Sequence, residues 1–286
     1  MITGDAGMQS LTRRGFTFAL ASSAAVGLAP ITTRAKDLIG GVSPSERLET
    51  MIRIMGRTDG GVAIRWTHGV LAGVVEQETT QLLGISQQVF TRHRRREDGG
   101  FDAVYLELVY FTDLKSGEVL EEWSNPYTDR KVTVPAQVLG PTPIQIPLDL
   151  KVINEPYPME GIVNTHWLEP LPTLGDDVSF NERIDSYVPP MTEGGAPLKF
   201  HEVFAFRASS ASLRNTNSPH VAATVDKFNV ISWRPWMEMS DVDGVTMSRG
   251  AGRVIADYEY LPSDLAAKNE AHFPDVIAEI EDYLEI

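Results

Sequence analysis

Apolar and polar residues alternate at every second position through most of this chain. That period suits strands and cannot be laid on a helix. Val62, Ile64, Trp66, His68 and Val70 share one face, with Arg65 and Thr67 on the other. The rhythm returns over residues 80–96, 101–112, 131–138, 146–152, 200–208, 222–234 and 245–260. Asp98-Gly99 and Asp243-Gly244 are tight-turn pairs, Ser116-Gly117 turns the chain into 118–123, and Asn125-Pro126 breaks it again. Strands joined so closely pair antiparallel, and a sheet with this many strands protects its edges best by closing on itself. The pattern predicts a mainly β fold: an antiparallel meander closing into a calycin-like β-barrel with peripheral helices. Residues 154–198, rich in Pro and Gly, read as a wandering surface segment or barrel mouth.

Two helices stand out against this background. Ser43-Pro44-Ser45-Glu46 supplies a capping serine and an early acid, and Leu48, Met51, Ile52 and Met55 follow at helical spacing, predicting a helix over 45–56. Near the end, Pro274 precedes Val276, Ile277, Ile280 and Leu284, with Asp275, Glu279, Glu281 and Asp282 toward water.

At the other end, Arg13-Arg14 stands before an uncharged run from Gly15 to Thr33, closed by Thr33-Arg34-Ala35. This order resembles a twin-arginine export signal over residues 1–35. It leaves 36–286 as one barrel domain and predicts a periplasmic location. The partners expected are the twin-arginine export machinery, a small-molecule ligand or substrate, and a second copy of the chain. The absence of cysteine suits an oxidising compartment and excludes disulfides, thiolate metal sites and cysteine nucleophiles. A formal charge of −14 repels phosphate backbones, so nucleic acid is not an expected partner.

Known chemical motifs are scarce. Gly84-Ile85-Ser86 does not complete a nucleophile elbow, and Gly250-Ala251-Gly252 has Ile255 where a dinucleotide fingerprint needs glycine. Asp241-Val242-Asp243-Gly244 lacks the distal acids of a calcium loop and reads as a turn. The six histidines, at 68, 93, 166, 201, 220 and 272, show no metal-ligand spacing. No metal and no cofactor are therefore expected. The basic run Arg92-His93-Arg94-Arg95-Arg96 reads as a solvated hairpin end balanced by nearby acids.

Tyr105, Glu107 and Tyr110-Phe111-Thr112-Asp113 lead through Lys115-Ser116-Gly117-Glu118 into Trp123-Ser124-Asn125-Pro126-Tyr127-Thr128. Together with Ser232-Trp233-Arg234-Pro235-Trp236 and Leu261-Pro262, this resembles the DUF1838 family over roughly residues 45–275. The resemblance implies a single domain unit and an exported protein, and carries no assigned activity. Asp129-Arg130 departs from it, standing where relatives tend to have glycine.

In a closed barrel one face of each strand points inward and can line a ligand site. His68, among Ile64, Trp66 and Val70, is expected inside as a general acid or base. Glu107, on a run apolar on both faces, is expected as a buried carboxyl with a perturbed pKa. Tyr127 completes the catalytic candidates. Trp66, Trp123, Asn125, His166, Trp233 and Trp236 are the candidate substrate contacts, and Asn125 can equally serve its own turn. The function expected is a cofactor-independent cell-envelope enzyme, a lyase, isomerase or hydrolase, acting on a small apolar or aromatic molecule. The alternative is a non-catalytic carrier of a hydrophobic ligand.

Overall fold

The computed structural model describes residues 41–154, 160–171, 175–190 and 196–286. The paired arginines and the rest of the expected leader lie outside the described residues. In chain order the elements are α1 (Pro44–Met55), β1 (Val62–Val75), β2 (Glu78–Arg95), β3 (Phe101–Thr112), β4 (Glu122–Ser124) and β5 (Lys131–Thr133). Next come β6 (Gln137–Ile146), β7 (Lys151–Val152), β8 (Val163–Pro170), β9 (Asp177–Val188) and β10 (Leu198–Ser209). The chain closes with α2 (Ser210–Leu213), β11 (Ala223–Ser232), β12 (Val245–Ile255), α3 (Ser263–His272), α4 (Pro274–Ala278) and α5 (Ile280–Tyr283).

Ten strands form one antiparallel sheet in the order β6-β3-β2-β1-β12-β11-β10-β9-β8-β7, with β4 and β5 paired beside it. Its two end strands are neighbours in sequence. They meet through the backbone pair Gln145–Ile153, so the sheet curls into a barrel. Between them the chain reverses at residues 147–150, with Leu150 at φ 67°. The alternation over 146–152 is therefore a hairpin and not one strand, because Pro147 interrupts the ladder. Residues 154–198 also differ from expectation, since they contain β8 and β9, two full staves of the barrel. Their inward positions carry Asn164, His166 and Glu182, which blunt the apolar alternation that marks a strand.

Each mouth of the barrel is filled by apolar groups. At one, α1 begins with a reciprocal cap between Ser43 and Glu46 and carries Pro in its first turn. It packs Leu48, Met51, Ile52 and Met55 against Phe101, Ile146, Phe180 and Phe206. Buried Arg53 donates to the carbonyl oxygens of Ser218, Leu213 and Asn215, binding α1 to the loop before β11. At the other mouth Leu71, Ile85, Val109 and Phe111 meet Met237, Met239 and Trp236.

A third apolar layer lies outside the wall. Ile64, Phe90, Leu106, Leu108 and Tyr110 point away from the interior and are covered by Leu261, Leu265 and Leu284 of the C-terminal helices. Around these residues strands β1 to β3 are thus buried on both faces. Beside them β1 and β12 approach so closely that a Cβ on Gly252 would sit 1.7 Å from the Trp66 carbonyl oxygen, and one on Gly69 1.8 Å from that of Arg249. That approach accounts for Gly250-Ala251-Gly252 without a nucleotide.

The four arginines of the basic run are spent on internal pairing, whereas His93, expected with them at a solvated hairpin end, is turned inward and 0% exposed, because alternate residues of β2 face the barrel interior. Arg92 pairs with Glu281, Arg95 with Glu49, and Arg96 with Asp98, while Arg94 donates to the Ile286 carbonyl at 2.6 Å.

Candidate functional site

Between the two apolar plugs the barrel interior is polar. On β1 it is Arg65 and Thr67 that point inward, while Ile64, Trp66 and His68 face out. The face assignment for His68 is corrected: it is exposed on the outer surface, with Nδ1 2.8 Å from Ser86 Oγ. The alternation placed these residues together correctly. The apolar face of β1 nevertheless looks outward, because the C-terminal helices bury it there. Trp66 packs in that outer layer, away from the cavity.

Glu107 projects into the barrel from β3, in register with Val89, which in turn pairs with Arg65. Its Oε1 accepts from Gln87 Nε2 at 2.5 Å. The Gln87 oxygen accepts from Lys227 Nζ, and Lys227 pairs with Glu202 at 2.9 Å. Asn229 Nδ2 donates to Glu202 at 3.2 Å, and its oxygen accepts from Ser248 Oγ at 2.6 Å. One hydrogen-bonded chain thus runs from Glu107 across β2, β11, β10 and β12. Burial pushes the Glu107 pKa above the ordinary carboxylate range, against the pull of nearby Lys227.

A second chain lies across the cavity. Glu182 pairs with Arg65 through Oε2 and with His166 Nε2 at 2.9 Å through Oε1, while His166 Nδ1 is 3.2 Å from Asn154 Oδ1. Burial would raise the Glu182 pKa, but Arg65 and His166 outweigh it and hold the carboxylate at about 2. The Arg65 guanidinium also lies 3.8 Å from the centre of the Phe204 ring. His93 completes this side. It is 0% exposed, both ring nitrogens lack a partner, and desolvation lowers its pKa to about 4.

These groups enclose a cavity of about 200 Å³, lined by Glu107, Arg65, His93, His166, Glu182 and Glu202 among polar groups and by Tyr105, Phe200, Phe204 and Ile184 among apolar ones. Glu107 and His166 are the two sequence-derived candidates that the structure brings to it. Arg65, His93, Glu182, Glu202 and Lys227 were missed. Val178-x-Phe180-x-Glu182-x-Ile184 was the available signal for Glu182, while Arg65 is placed by a strand register that the sequence does not show. Among the described residues no group of three His, Asp or Glu side chains is arranged to hold a metal ion.

The chain belongs to the DUF1838 family. The family's model, described as a protein of unknown function, matches residues 60–285, which takes in every strand of the barrel and the C-terminal helices. No curated protein matches the chain.

The motif that carries the DUF1838 resemblance, Trp123 to Thr128 with Trp233 and Trp236, builds the plug at one mouth and does not line the cavity. Trp236 lies 5.1 Å from Phe111 and 6.2 Å from Trp123, ring centre to ring centre, and Tyr127 lies 5.7 Å from Trp233. Asn125 is 1% exposed; its Oδ1 accepts from Tyr127 N at 2.9 Å and its Nδ2 donates to the Met237 carbonyl at 2.8 Å. The turn role weighed for Asn125 is the one its hydrogen bonds show. Tyr127, likewise expected at the reacting centre, has its hydroxyl among these plug residues, buried and without a partner.

Proposed function

We propose that this protein is an enzyme that moves a proton on a small molecule held inside the barrel, with Glu107 giving or taking it. One observation carries this reading: a carboxyl group deep in a closed β structure, bordering a cavity, with its pKa raised by burial. General acid and base groups work best when their pKa approaches the working pH, and desolvation is a usual way to bring a carboxyl there. The fixed chain through Gln87, Lys227 and Glu202 holds the group in one orientation, as a reacting geometry requires.

Size and lining narrow the substrate. A cavity near 150 Å³ admits benzene, so about 200 Å³ favours a molecule of similar or slightly greater bulk. Charged walls favour a substrate with a polar group over the wholly apolar cargo of a carrier. Lyases, isomerases and hydrolases all contain a step of this kind. Placement in the cell envelope is supported by Arg13-Arg14 and the uncharged run behind it.

The test uses the full-length protein in deuterated water with a panel of small carbonyl compounds and follows exchange at carbon by NMR. Glu107→Gln is expected to slow exchange by about a hundredfold or more. Exchange that persists undiminished in Glu107→Gln overturns the assignment.

A further inference from the structure

Gln87 and Lys227 are both buried in the barrel interior. Lys227 Nζ donates to the Gln87 oxygen and pairs with Glu202 at 2.9 Å, while Gln87 Nε2 donates to Glu107 Oε1 at 2.5 Å. An amide can be turned end for end with almost no change in shape, so its partners decide which end points where. Glu107 leaves both orientations open, since a carboxyl group accepts when ionised and can donate when protonated. A lysine ammonium only donates. Turned round, Gln87 would set its NH2 group against that ammonium, with two buried donors facing each other.

The consequence falls on Glu107. With Gln87 fixed as a donor, Oε1 accepts in both charge states of the carboxyl group. Whenever Glu107 holds a proton, that proton is on Oε2, to which the described residues make no hydrogen bond. Glu107 borders the cavity, so Oε2 is the oxygen left to meet a bound molecule.

We propose that Lys227 and Gln87 are positioning residues: Lys227, able only to donate, turns the Gln87 amide so that Glu107 carries its proton on Oε2. The proposal rests on Glu107 being the acid–base group and specifies which of its oxygens gives and takes the proton. Neither Lys227 nor Gln87 lines the cavity, so each acts through Glu107.

The experiment is infrared difference spectroscopy of the full-length protein through an acid titration, with Glu107→Gln marking the carbonyl stretch of the protonated Glu107 carboxyl group. That carbonyl oxygen is Oε1, and a hydrogen bond to it lowers the stretching frequency. Gln87→Leu is expected to move the band to higher wavenumber and to slow exchange at carbon about tenfold or more. Lys227→Arg, which keeps a cation that only donates, is expected to retain the wild-type band. Lys227→Gln keeps a donor for Glu202 but can also accept, so Gln87 is free to turn and the band moves upward. A band unmoved in Gln87→Leu or in Lys227→Gln, a shift in Lys227→Arg as large as that in Lys227→Gln, or no band that Glu107→Gln removes overturns the proposal. Gln87→Leu keeps the Lys227–Glu202 pair and decides the placement of the proton by itself if a Lys227 variant does not fold. The band is read without substrate, which separates the two readings. The expected shifts with exchange undiminished in Glu107→Gln leave the proton on Oε2 and remove the enzyme. Exchange lost in Glu107→Gln with an unmoved band in Gln87→Leu leaves proton transfer standing and removes the positioning role.

Discussion

The side-chain amides of Gln88 and Asn269 hydrogen-bond each other in both directions, each bond 2.9 Å long. Both residues are 0% exposed, one on the outer face of β2 and the other on α3. Tyr110 donates to the same Asn269 oxygen at 2.9 Å, and Asn269 Nδ2 also donates to the Tyr258 hydroxyl at 3.1 Å. This node fastens the C-terminal helices to the barrel wall. Asn269→Leu leaves the Gln88 amide and the Tyr110 hydroxyl buried and unpaired, so a loss of about 3 kcal/mol is expected in urea denaturation. Adding Gln88→Leu should recover part of it, because both partners are then apolar. A double variant weaker than the sum of the singles would contradict this.

His93 gives the protein an acid-sensitive element. Its folded pKa of about 4 lies below the ordinary 6.5, so the native state binds fewer protons than the unfolded chain between those values. Its contribution is complete above pH 6.5 and falls away as the pH drops through 4, by about 3 kcal/mol in all. Stability curves of the wild type and His93→Leu should therefore run parallel above neutrality and converge or cross in acid.

Glu107 acts with the opposite sign. Its raised pKa means that the native state keeps a proton the unfolded chain releases above 4.5, so this group destabilises the fold progressively as the pH rises from 4.5 toward its folded value. Glu182, held near 2, stabilises above 4.5 and loses that effect toward 2. Subtracting the Glu107→Gln stability profile from that of the wild type isolates the first trend. A flat difference from about pH 4 to 8 would show that burial does not hold the proton.

Asp129 occupies the left-handed region at φ 54°, in the turn between β4 and β5. Glycine takes this conformation at the least cost, and aspartate tolerates it better than a β-branched residue. Asp129→Val is expected to cost about 1 kcal/mol, and Asp129→Gly nothing or a slight gain. Thermal unfolding of the two variants side by side measures this.

His68, exposed outside the wall, should be replaceable. His68→Ala removes a hydrogen bond to Ser86 on the outer surface and is expected to leave deuterium exchange at wild-type levels. A hundredfold drop in exchange would restore it to the reacting centre.

Alternation with period two was enough to establish a closed antiparallel β structure and a carboxyl at 107 on a doubly buried strand, because the pleat puts every second side chain on one face whatever lies beyond it; the helix predicted over 45–56 and found at 44–55 was legible instead from its capping serine and its helical spacing. The same pleat says nothing about which face is inside. On β1 the apolar row looks outward only because α3 to α5 cover it, and Arg65 can stand inside only because Glu182 arrives from a strand 117 residues later. Such pairings join residues with no local relation. The tertiary structure alone therefore decided that His68 lies outside, that β8 and β9 complete the barrel, and that Arg65, His93, Glu107, His166 and Glu182 share one cavity.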